Sequence, residues 1–257
     1  ALTQLGLDRD ELTIVTKFGL PVGDLNGNDR NARGSRRYIM RAVEGSLRRL
    51  GTDYIDLYFY HSPDPNTPIE ETLSALDQLV RDGKVRYLGH SNFSGWQLAH
   101  AEHCAHELGT ERFIVAENHY NLLDRRAELE ILPAARHFGM GVLPYFPLAN
   151  GLLTGKYRRD NIPAGSRLSH SKKNVLDAAN WDQLEAFHSF CTERGITEAQ
   201  AAFSWLAQQS PVTSVIAGAT SAEQVRANAQ AACLRFDAED LAALDAIFPA
   251  PEKIALF

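Results

Sequence analysis

Several features that mark common protein classes are scarce in this sequence of 257 residues. No apolar run approaches the ~20 residues that a membrane-spanning helix needs, so we expect no membrane partner. Basic residues are outnumbered, since 26 Lys and Arg face 32 Asp and Glu, and the net charge of -6 argues against a nucleic-acid partner. The 44% of hydrophobic residues then predicts an ordinary globular core.

Cysteine is scarce as well, and its three residues are Cys104, Cys191 and Cys233. Their odd number and wide spacing predict free thiols and a reducing, cytoplasmic location. His100, His103 and His106 recur every third residue around Cys104, which raises the alternative of a metal cluster. Positions three apart drift by ~60° per step around a helix, however, so we predict no metal site.

Two titratable side chains follow strand-like runs. The run Leu12–Val15 is apolar or β-branched and precedes Lys17, and the run Tyr54–Tyr60 precedes His61. Catalytic residues of parallel α/β folds collect at the C-terminal ends of strands, so both side chains are catalytic candidates. Lysine could form a Schiff base or lower the pKa of a neighbouring acid, and histidine could donate a proton or polarise an oxygen. Spacing alone leaves these chemistries open.

Strand and helix patterns alternate along the rest of the chain. Further strand signals lie at Val85–Gly89, Phe113–Ala116, Met140–Tyr145 and Val212–Ile216. Helix caps are predicted at Ser35, Thr67, Thr197 and Ser221, and two further helices are predicted to begin at Ser94 and Asp237. Residues 156–180 show no clear period and are predicted to form a lid loop. No Gly-x-Gly-x-x-Gly follows any strand, which weakens the alternative of a doubly wound sheet. An α/β fold of (β/α)₈ TIM-barrel type fits better, although two strands short.

A colinear set of motifs between about Glu11 and Asn228 narrows the choice. The motifs are Thr16-Lys-Phe-Gly19, Leu47-x-x-Leu50-Gly-Thr-Asp-Tyr-Ile-Asp-Leu57, His61-Ser-Pro-Asp64, Gly83-Lys-Val-Arg-Tyr-Leu-Gly-x-Ser91-Asn-Phe93, Tyr145-x-Pro-Leu148 with Gly151-Leu-Leu-Thr-Gly-Lys156, and Gly218-Ala-Thr-Ser221. Together they resemble the aldo-keto reductases. The resemblance implies a single (β/α)₈ barrel domain over residues 1–257, with NADPH, or alternatively NADH, extended across its C-terminal mouth. It also implies reduction of a small-molecule aldehyde or ketone by direct hydride transfer.

The resemblance further implies roles for individual residues. Lys17 matches the family's lysine, His61 the histidine that orients the carbonyl, Ser91 and Asn92 the pair that binds the nicotinamide carboxamide, and Tyr145 the aromatic that stacks on the nicotinamide. The predicted pyrophosphate loop comprises Phe146, Pro147, Leu148, Asn150, Gly151 and Leu152, and the adenosine side comprises Gly218, Ala219, Thr220, Ser221, Gln224 and Asn228. Ser221 and Gln224 also form a capping-box pattern. Glu117 stands where the family usually has glutamine, and a carboxylate only accepts hydrogen bonds.

Two rival functions stay open at this point. One is a non-catalytic nicotinamide sensor, like the potassium-channel β subunits that resemble this family, and the other is a Schiff-base aldolase using Lys17. At about 30 residues per unit, two β/α units of roughly 60 residues are expected to precede Ala1. In the family these units carry the catalytic aspartate and tyrosine. The particular carbonyl substrate and the oligomeric state are not predicted.

Overall fold

The computed structural model of the protein describes residues 6–170 and 172–252. The chain divides into two compact units. The first comprises Ala1–Glu117 with Ala134–Gly141, and the second comprises Asn118–Pro133 with Val142–Phe257. The predicted single domain over 1–257 includes residues 1–5, 171 and 253–257, which lie outside the described residues, and it stays a prediction.

The first unit is built on a parallel sheet. Its strands are β1 (Val15–Phe18), β2 (Ile55–Tyr60), β3 (Val85–Ser91) and β4 (Phe113–Glu117), and a two-residue strand β5 (Gly141–Val142) completes the strand order β1-β2-β3-β4-β5. The helices between successive strands are α1 (Arg36–Leu50), α2 (Ile69–Arg81) and α3 (Gly95–Leu108). This parallel β/α succession confirms an α/β fold and is consistent with the (β/α)₈ barrel.

Strand β2 lies in the middle of the first unit's core. Ile55, Tyr58 and Phe59 are fully buried although their side chains do not all point to one face of the sheet. Burial on both faces is what a central parallel strand covered by helices requires. The near-continuous apolar run that predicts this strand therefore reflects two-sided burial, and His61 follows directly after the strand as expected.

Of the two helix caps predicted in the first unit, one is confirmed and one is wrong. Ser35 accepts a hydrogen bond from the Tyr38 backbone at the start of α1, and Ser94 forms a capping box with Gln97 at the start of α3. At α2 the predicted Thr67 cap is wrong, because Pro68 is the N-cap and makes no side-chain cap bond. The Thr67 hydroxyl instead donates to Asp64 Oδ2 at 2.8 Å, so the preceding turn captures it.

The second unit is mainly helical, and α4 (Ile131–His137) runs across the division at Pro133. Its helices are α5 (Arg167–His170), α6 (Lys173–Asp177), α7 (Trp181–Glu193), α8 (Glu198–Gln208), α9 (Ala222–Ala231) and α10 (Ala238–Ile247). Trp205, Phe187, Phe203 and Phe248 are almost wholly buried and form its core. Two short helices, α5 and α6, lie in the segment 156–180, so the predicted absence of secondary structure there is wrong, while its lid role stays a prediction.

Three predicted strands differ from the observed ones. β1 begins at Val15 and includes Lys17, whereas the apolar pattern places the lysine after the strand. The run Val212–Ile216 forms only an isolated parallel bridge between Val212 and Val142. Tyr145 lies beyond β5 in an isolated bridge with His119.

Among the described residues, no helix has the length and hydropathy to cross a membrane.

Candidate active site

Lys17 and Glu117 form an ion pair within the first unit. The lysine ammonium contacts Glu117 Oε1, and it lies 5.6 Å from the centre of the Phe59 ring. The Glu117 side chain is 3% exposed and the Lys17 side chain is 27% exposed. The carboxylate therefore depends on the lysine for its counter-charge, whereas the lysine also contacts solvent. A flat sheet would separate β1 from β4 by about 14 Å, three strand spacings, which is more than the two side chains span. Sheet curvature therefore brings the pair together.

His61 lies at the end of β2, beside Lys17. Its backbone N–H donates to the Phe18 carbonyl at 2.8 Å, which continues the β1–β2 ladder by one residue. Burial of the half-buried ring lowers the pKa of His61, and the Lys17 charge lowers it further. The imidazole is therefore neutral near pH 7, with one ring N–H that donates a hydrogen bond.

Ser91 and Asn92 connect the ends of β2, β3 and β4. The Asn92 amide nitrogen donates to the His61 carbonyl at 2.9 Å and to Ser91 Oγ at 3.1 Å, and its backbone N–H donates to the Glu117 carbonyl at 3.0 Å. Asn92 has φ of 61°, a left-handed conformation that asparagine adopts more readily than most residues. The structure thus brings together all five predicted site residues of the first unit.

Tyr145 lies in the second unit, against His119. The two rings stack with centroids 5.4 Å apart and an interplanar angle of 7°, and the Phe146 ring packs edge-on against both. His119 is held by Asp124 Oδ2, 3.0 Å from its Nδ1, and by the Asn121 amide, 3.1 Å from its Nε2. No local sequence pattern predicts the pairing of His119 with Tyr145. Only the parallel bridge between them reveals the stack, because it aligns residues 26 positions apart.

The predicted pyrophosphate loop has an unusual backbone. Phe146, Ala149 and Asn150 have φ of 56°, 46° and 58°, and Gly151 has φ of 108°. Ala149, Asn150 and Gly151 lie in a short 3₁₀ segment, Ala149–Thr154, and Phe146 precedes it. A right-handed residue followed by a left-handed one aims successive N–H groups into one concavity that can bind an anionic group, and Leu148 (φ -101°) followed by Ala149 (φ 46°) is such a step. Asn150 Oδ1 is buried and has no hydrogen-bond partner among the described residues.

The predicted adenosine residues lie around the start of α9. Ser221 caps this helix, accepting from the Gln224 backbone N–H, while the Gln224 side chain accepts from the Thr220 backbone at 2.7 Å. The capping-box interpretation therefore holds for the serine, but the glutamine reaches one residue further back than a capping box requires. Ala219 and Asn228 line a cavity of about 420 Å³ within the second unit.

The loops after β1 and β2 meet in the first unit. Gly19, Asn31 and Arg33 from the first loop line a cavity of about 440 Å³ together with Ser62 and Asn66 from the second. Loops at the C-terminal ends of barrel strands commonly contact the substrate, so this cavity is where we expect substrate choice to be decided. Arg33 is engaged by Asp29 through a 2.6 Å ion pair, so its charge is partly balanced.

Comparison with known proteins identifies the family. The model of the aldo/keto reductase family matches residues 1–248. The chain belongs to the aldo-keto reductase family. An uncharacterized oxidoreductase, YrpG, of Bacillus subtilis (strain 168) is 40% identical over 249 residues, covering 96% of this chain and 75% of the relative. The L-glyceraldehyde 3-phosphate reductase of Escherichia coli O157:H7 is 37% identical over 246 residues, covering 92% and 70%.

Other relatives of this aldo-keto reductase carry names of a different kind. A probable voltage-gated potassium channel subunit beta of Oryza sativa subsp. japonica is 36% identical, covering 90% of this chain and 71% of the relative. A methylglyoxal reductase of Escherichia coli (strain K12), named as NADH-specific, is 35% identical, covering 88% of this chain and 71% of the relative.

The family resemblance inferred from the motifs is therefore confirmed. The match over residues 1–248 lends no support to the expectation that two β/α units are absent.

Proposed function

We propose that this aldo-keto reductase reduces an aldehyde or ketone to the alcohol by direct hydride transfer from NADPH. The observation that carries the proposal is the cluster of Lys17, His61, Ser91, Asn92 and Glu117 at the ends of β1 to β4. Family membership supports an oxidoreductase that uses a nicotinamide cofactor and a small carbonyl substrate. The choice of NADPH over NADH, and the role of each residue, belong to the proposal.

The polar groups present are suited to a nicotinamide cofactor. Glu117 Oε2 is buried and has no partner among the described residues, so it can accept from the amide of a carboxamide. Ser91 Oγ and the Asn92 side chain lie in the same hydrogen-bond network. This explains how a glutamate can replace the usual glutamine: Lys17 neutralises the carboxylate, and its second oxygen remains an acceptor.

The chain's own residues then prepare the carbonyl for reduction. A neutral His61 donates a ring N–H to the substrate oxygen and orients it. The Lys17 ammonium, partly exposed and next to His61, stabilises negative charge that develops on that oxygen. The bound reduced nicotinamide would supply the hydride, and the carbonyl oxygen would take up a proton from solvent, relayed by His61, so that the product is the neutral alcohol. Tyr145, held by its stack on His119, offers an aromatic surface suited to a planar ring.

The phosphate side of the proposed site rests on backbone geometry. The left-handed residues at Phe146, Ala149, Asn150 and Gly151 are suited to a pyrophosphate. Pro147, Leu148 and Leu152 shape the same loop. At the adenosine side, the first turn of α9 directs backbone N–H groups out of the helix, and the proposed contacts there are Gly218, Ala219, Thr220, Ser221, Gln224 and Asn228.

Calorimetric titration with NADPH and with NADH tests the cofactor proposal. We expect saturable binding of NADPH, tighter than that of NADH, and consumption of NADPH in the presence of a panel of simple aldehydes and ketones. Lack of saturable binding by either cofactor at millimolar concentration would contradict the proposal. Tighter binding of NADH would correct the cofactor alone.

A non-catalytic nicotinamide-binding subunit is the second candidate, favoured by the similarity to a protein named as a probable channel β subunit. It predicts cofactor binding without turnover of any carbonyl in the panel. The Schiff-base alternative predicts a covalent adduct at Lys17 after borohydride treatment with substrate. The contact of the Lys17 side-chain nitrogen with Glu117 Oε1 competes with attack on a carbonyl, which disfavours that alternative.

A further inference from the structure

Three side chains with metal-ligating atoms converge in the first unit, and none of them is among the residues proposed for reduction. Glu70 lies in the first turn of α2, and His100 and Cys104 lie on α3. Cys104 Sγ is 3.7 Å from Glu70 Oε1 and 3.6 Å from His100 Nδ1. One ligand atom from each of the three residues falls within 4.8 Å of the others.

The two separations from the cysteine sulfur match those of a tetrahedral zinc site. With Zn–S near 2.3 Å and Zn–N or Zn–O near 2.0–2.1 Å, tetrahedral angles place sulfur about 3.5 Å from each light ligand atom. The observed separations from Cys104 Sγ are 3.6 Å and 3.7 Å. His100 and Cys104 are four residues apart on one helix and therefore share a face, which fixes two of the ligands on one rigid element.

The surroundings suit three protein ligands and one open position. Cys104 is buried, whereas Glu70 and His100 are exposed and give the ion a path from solvent. Glu70 and His100 also line a cavity of about 440 Å³ whose walls include Trp96 and Pro68. The Trp96 ring packs beside His100 at 6.4 Å and 29°, which restrains the imidazole.

We propose that Glu70, His100 and Cys104 bind Zn²⁺ through one carboxylate oxygen, one imidazole nitrogen and one thiolate. The fourth ligand is water or a small donor held in the adjoining cavity. Mixed sulfur, nitrogen and oxygen donors in a tetrahedral set favour zinc over the hard cations Mg²⁺ and Ca²⁺. Binding replaces the thiol proton of Cys104, which passes to solvent. The histidine spacing on α3 predicts no metal held by His100, His103 and His106 together, and the proposed set uses only the first of these.

The proposed ion connects α2 and α3, the helices that follow strands β2 and β3. α2 follows the loop from His61, and α3 follows Ser91 and Asn92. An ion held by both helices binds the folded chain better than the unfolded one, so it raises the midpoint of thermal unfolding. This site does not depend on the proposed reductase function, because its test measures metal and not turnover.

Titration of the metal-free chain with Co²⁺, a spectroscopic substitute for zinc, tests the proposal directly. We expect one Co²⁺ per chain, with sulfur-to-cobalt charge-transfer and tetrahedral d–d absorption that Zn²⁺ displaces. The variant Cys104→Ser should lose the charge-transfer band. Outer-shell partners alone change metal affinity by about 10–100-fold, so Glu70→Gln and His100→Gln should weaken Zn²⁺ binding by at least that factor.

Matched controls come from the same chain. Cys233→Ser removes an exposed thiol and His106→Gln removes an exposed imidazole from α3, and both should bind Co²⁺ as the unmodified chain does. The site would be overturned if no charge-transfer band formed, if the band survived Cys104→Ser, or if Cys233→Ser removed it. Should Cys104→Ser fail to fold, Glu70→Gln with unchanged zinc affinity would overturn the three-ligand set equally well.

Discussion

The pairing of Lys17 with Glu117 places unequal demands on its two members. Glu117 is almost wholly buried, so without Lys17 its charge has neither a counterion nor water, whereas Lys17 keeps access to solvent without Glu117. Removing one partner of a buried pair is costly because of the charge left behind. Replacement of the lysine should therefore lower the free energy of unfolding more than replacement of the glutamate.

We expect Lys17→Met to lower the free energy of unfolding by about 3–5 kcal/mol and Glu117→Gln by about 1–2 kcal/mol. Urea denaturation without cofactor measures both values. Lys84→Met is the control, because its pair with Glu44 is exposed and should be worth less than about 1 kcal/mol. Equal losses for Lys17→Met and Glu117→Gln would show that the carboxylate does not depend on the lysine.

His61 is proposed to act on the carbonyl and not on the cofactor. His61→Ala should therefore slow the chemical step by ~10²-fold or more while NADPH affinity stays nearly unchanged. Single-turnover kinetics and calorimetric titration separate the two effects. A comparable loss of cofactor affinity would mean that His61 has a structural role at the end of β2.

Tyr145 is proposed to act on the cofactor, so its replacement should change NADPH affinity. Tyr145→Ala removes the proposed stacking surface and should weaken NADPH binding by about 1–3 kcal/mol, the scale of an aromatic stack with its burial. Tyr145→Phe is the matched control, because it keeps the ring and should keep the affinity within a few-fold. Equal loss in both variants would place the contribution in the hydroxyl and contradict stacking.

At the scale of single elements, the loop ending at Gly155 has a conformation that few residues tolerate. Gly155 has φ of 74°, and a Cβ atom there would overlap the Glu198 carboxylate. That carboxylate has little freedom to move, because Arg158 and His188 both bind it, at 3.0 Å and 2.8 Å. Two independent costs therefore oppose any side chain at this position.

Gly155→Ala should lower the free energy of unfolding by about 1–2 kcal/mol for the left-handed backbone and by a further ~1–3 kcal/mol for the overlap. Gly195→Ala is the matched control, because Gly195 has φ of 63° and a Cβ added there would meet no atom within 4 Å, so only the first cost applies. Denaturant unfolding of both variants measures the difference. No difference between them would mean that Glu198 yields freely.

The stability of the whole molecule depends on pH through His90. The ring is fully buried, stacks on Phe93 at 4.5 Å, and has no partner for either nitrogen among the described residues. Burial lowers the pKa of His90 from 6.5 to about 3. Between these values the unfolded chain binds a proton that the folded chain does not, so the free energy of unfolding falls as pH drops.

From pH 7 to pH 5 this one histidine should reduce the free energy of unfolding by about 2 kcal/mol. His90→Phe should remove that part of the pH dependence, measured as the change in urea midpoint between the two pH values. His106→Gln, which changes an exposed histidine, should leave it intact. A pH dependence in His90→Phe as steep as in the unmodified chain would mean that other groups carry the effect.

Several site residues, one helix cap and the family can be predicted from the sequence alone. Lys17 and His61 stand out because parallel strands place their C-terminal ends along one edge of a sheet, and the family motifs add Ser91, Asn92 and Glu117. The cap at Ser35 follows from short-range hydrogen bonding and is confirmed, as is the start of a helix at Ser94. The family is also readable, because its motifs keep their order along the chain, as the match over residues 1–248 confirms.

Contacts between residues far apart in the sequence could be established only from the tertiary structure. Sheet curvature brings Lys17 to Glu117, a parallel bridge stacks His119 on Tyr145, and helix packing carries Glu70 to Cys104. The predicted Thr67 cap is wrong because Asp64 competes for its hydroxyl. Local patterns report hydrogen-bonding and burial preferences within a few residues, whereas these pairs depend on how curved strands and packed helices place side chains that the sequence holds far apart.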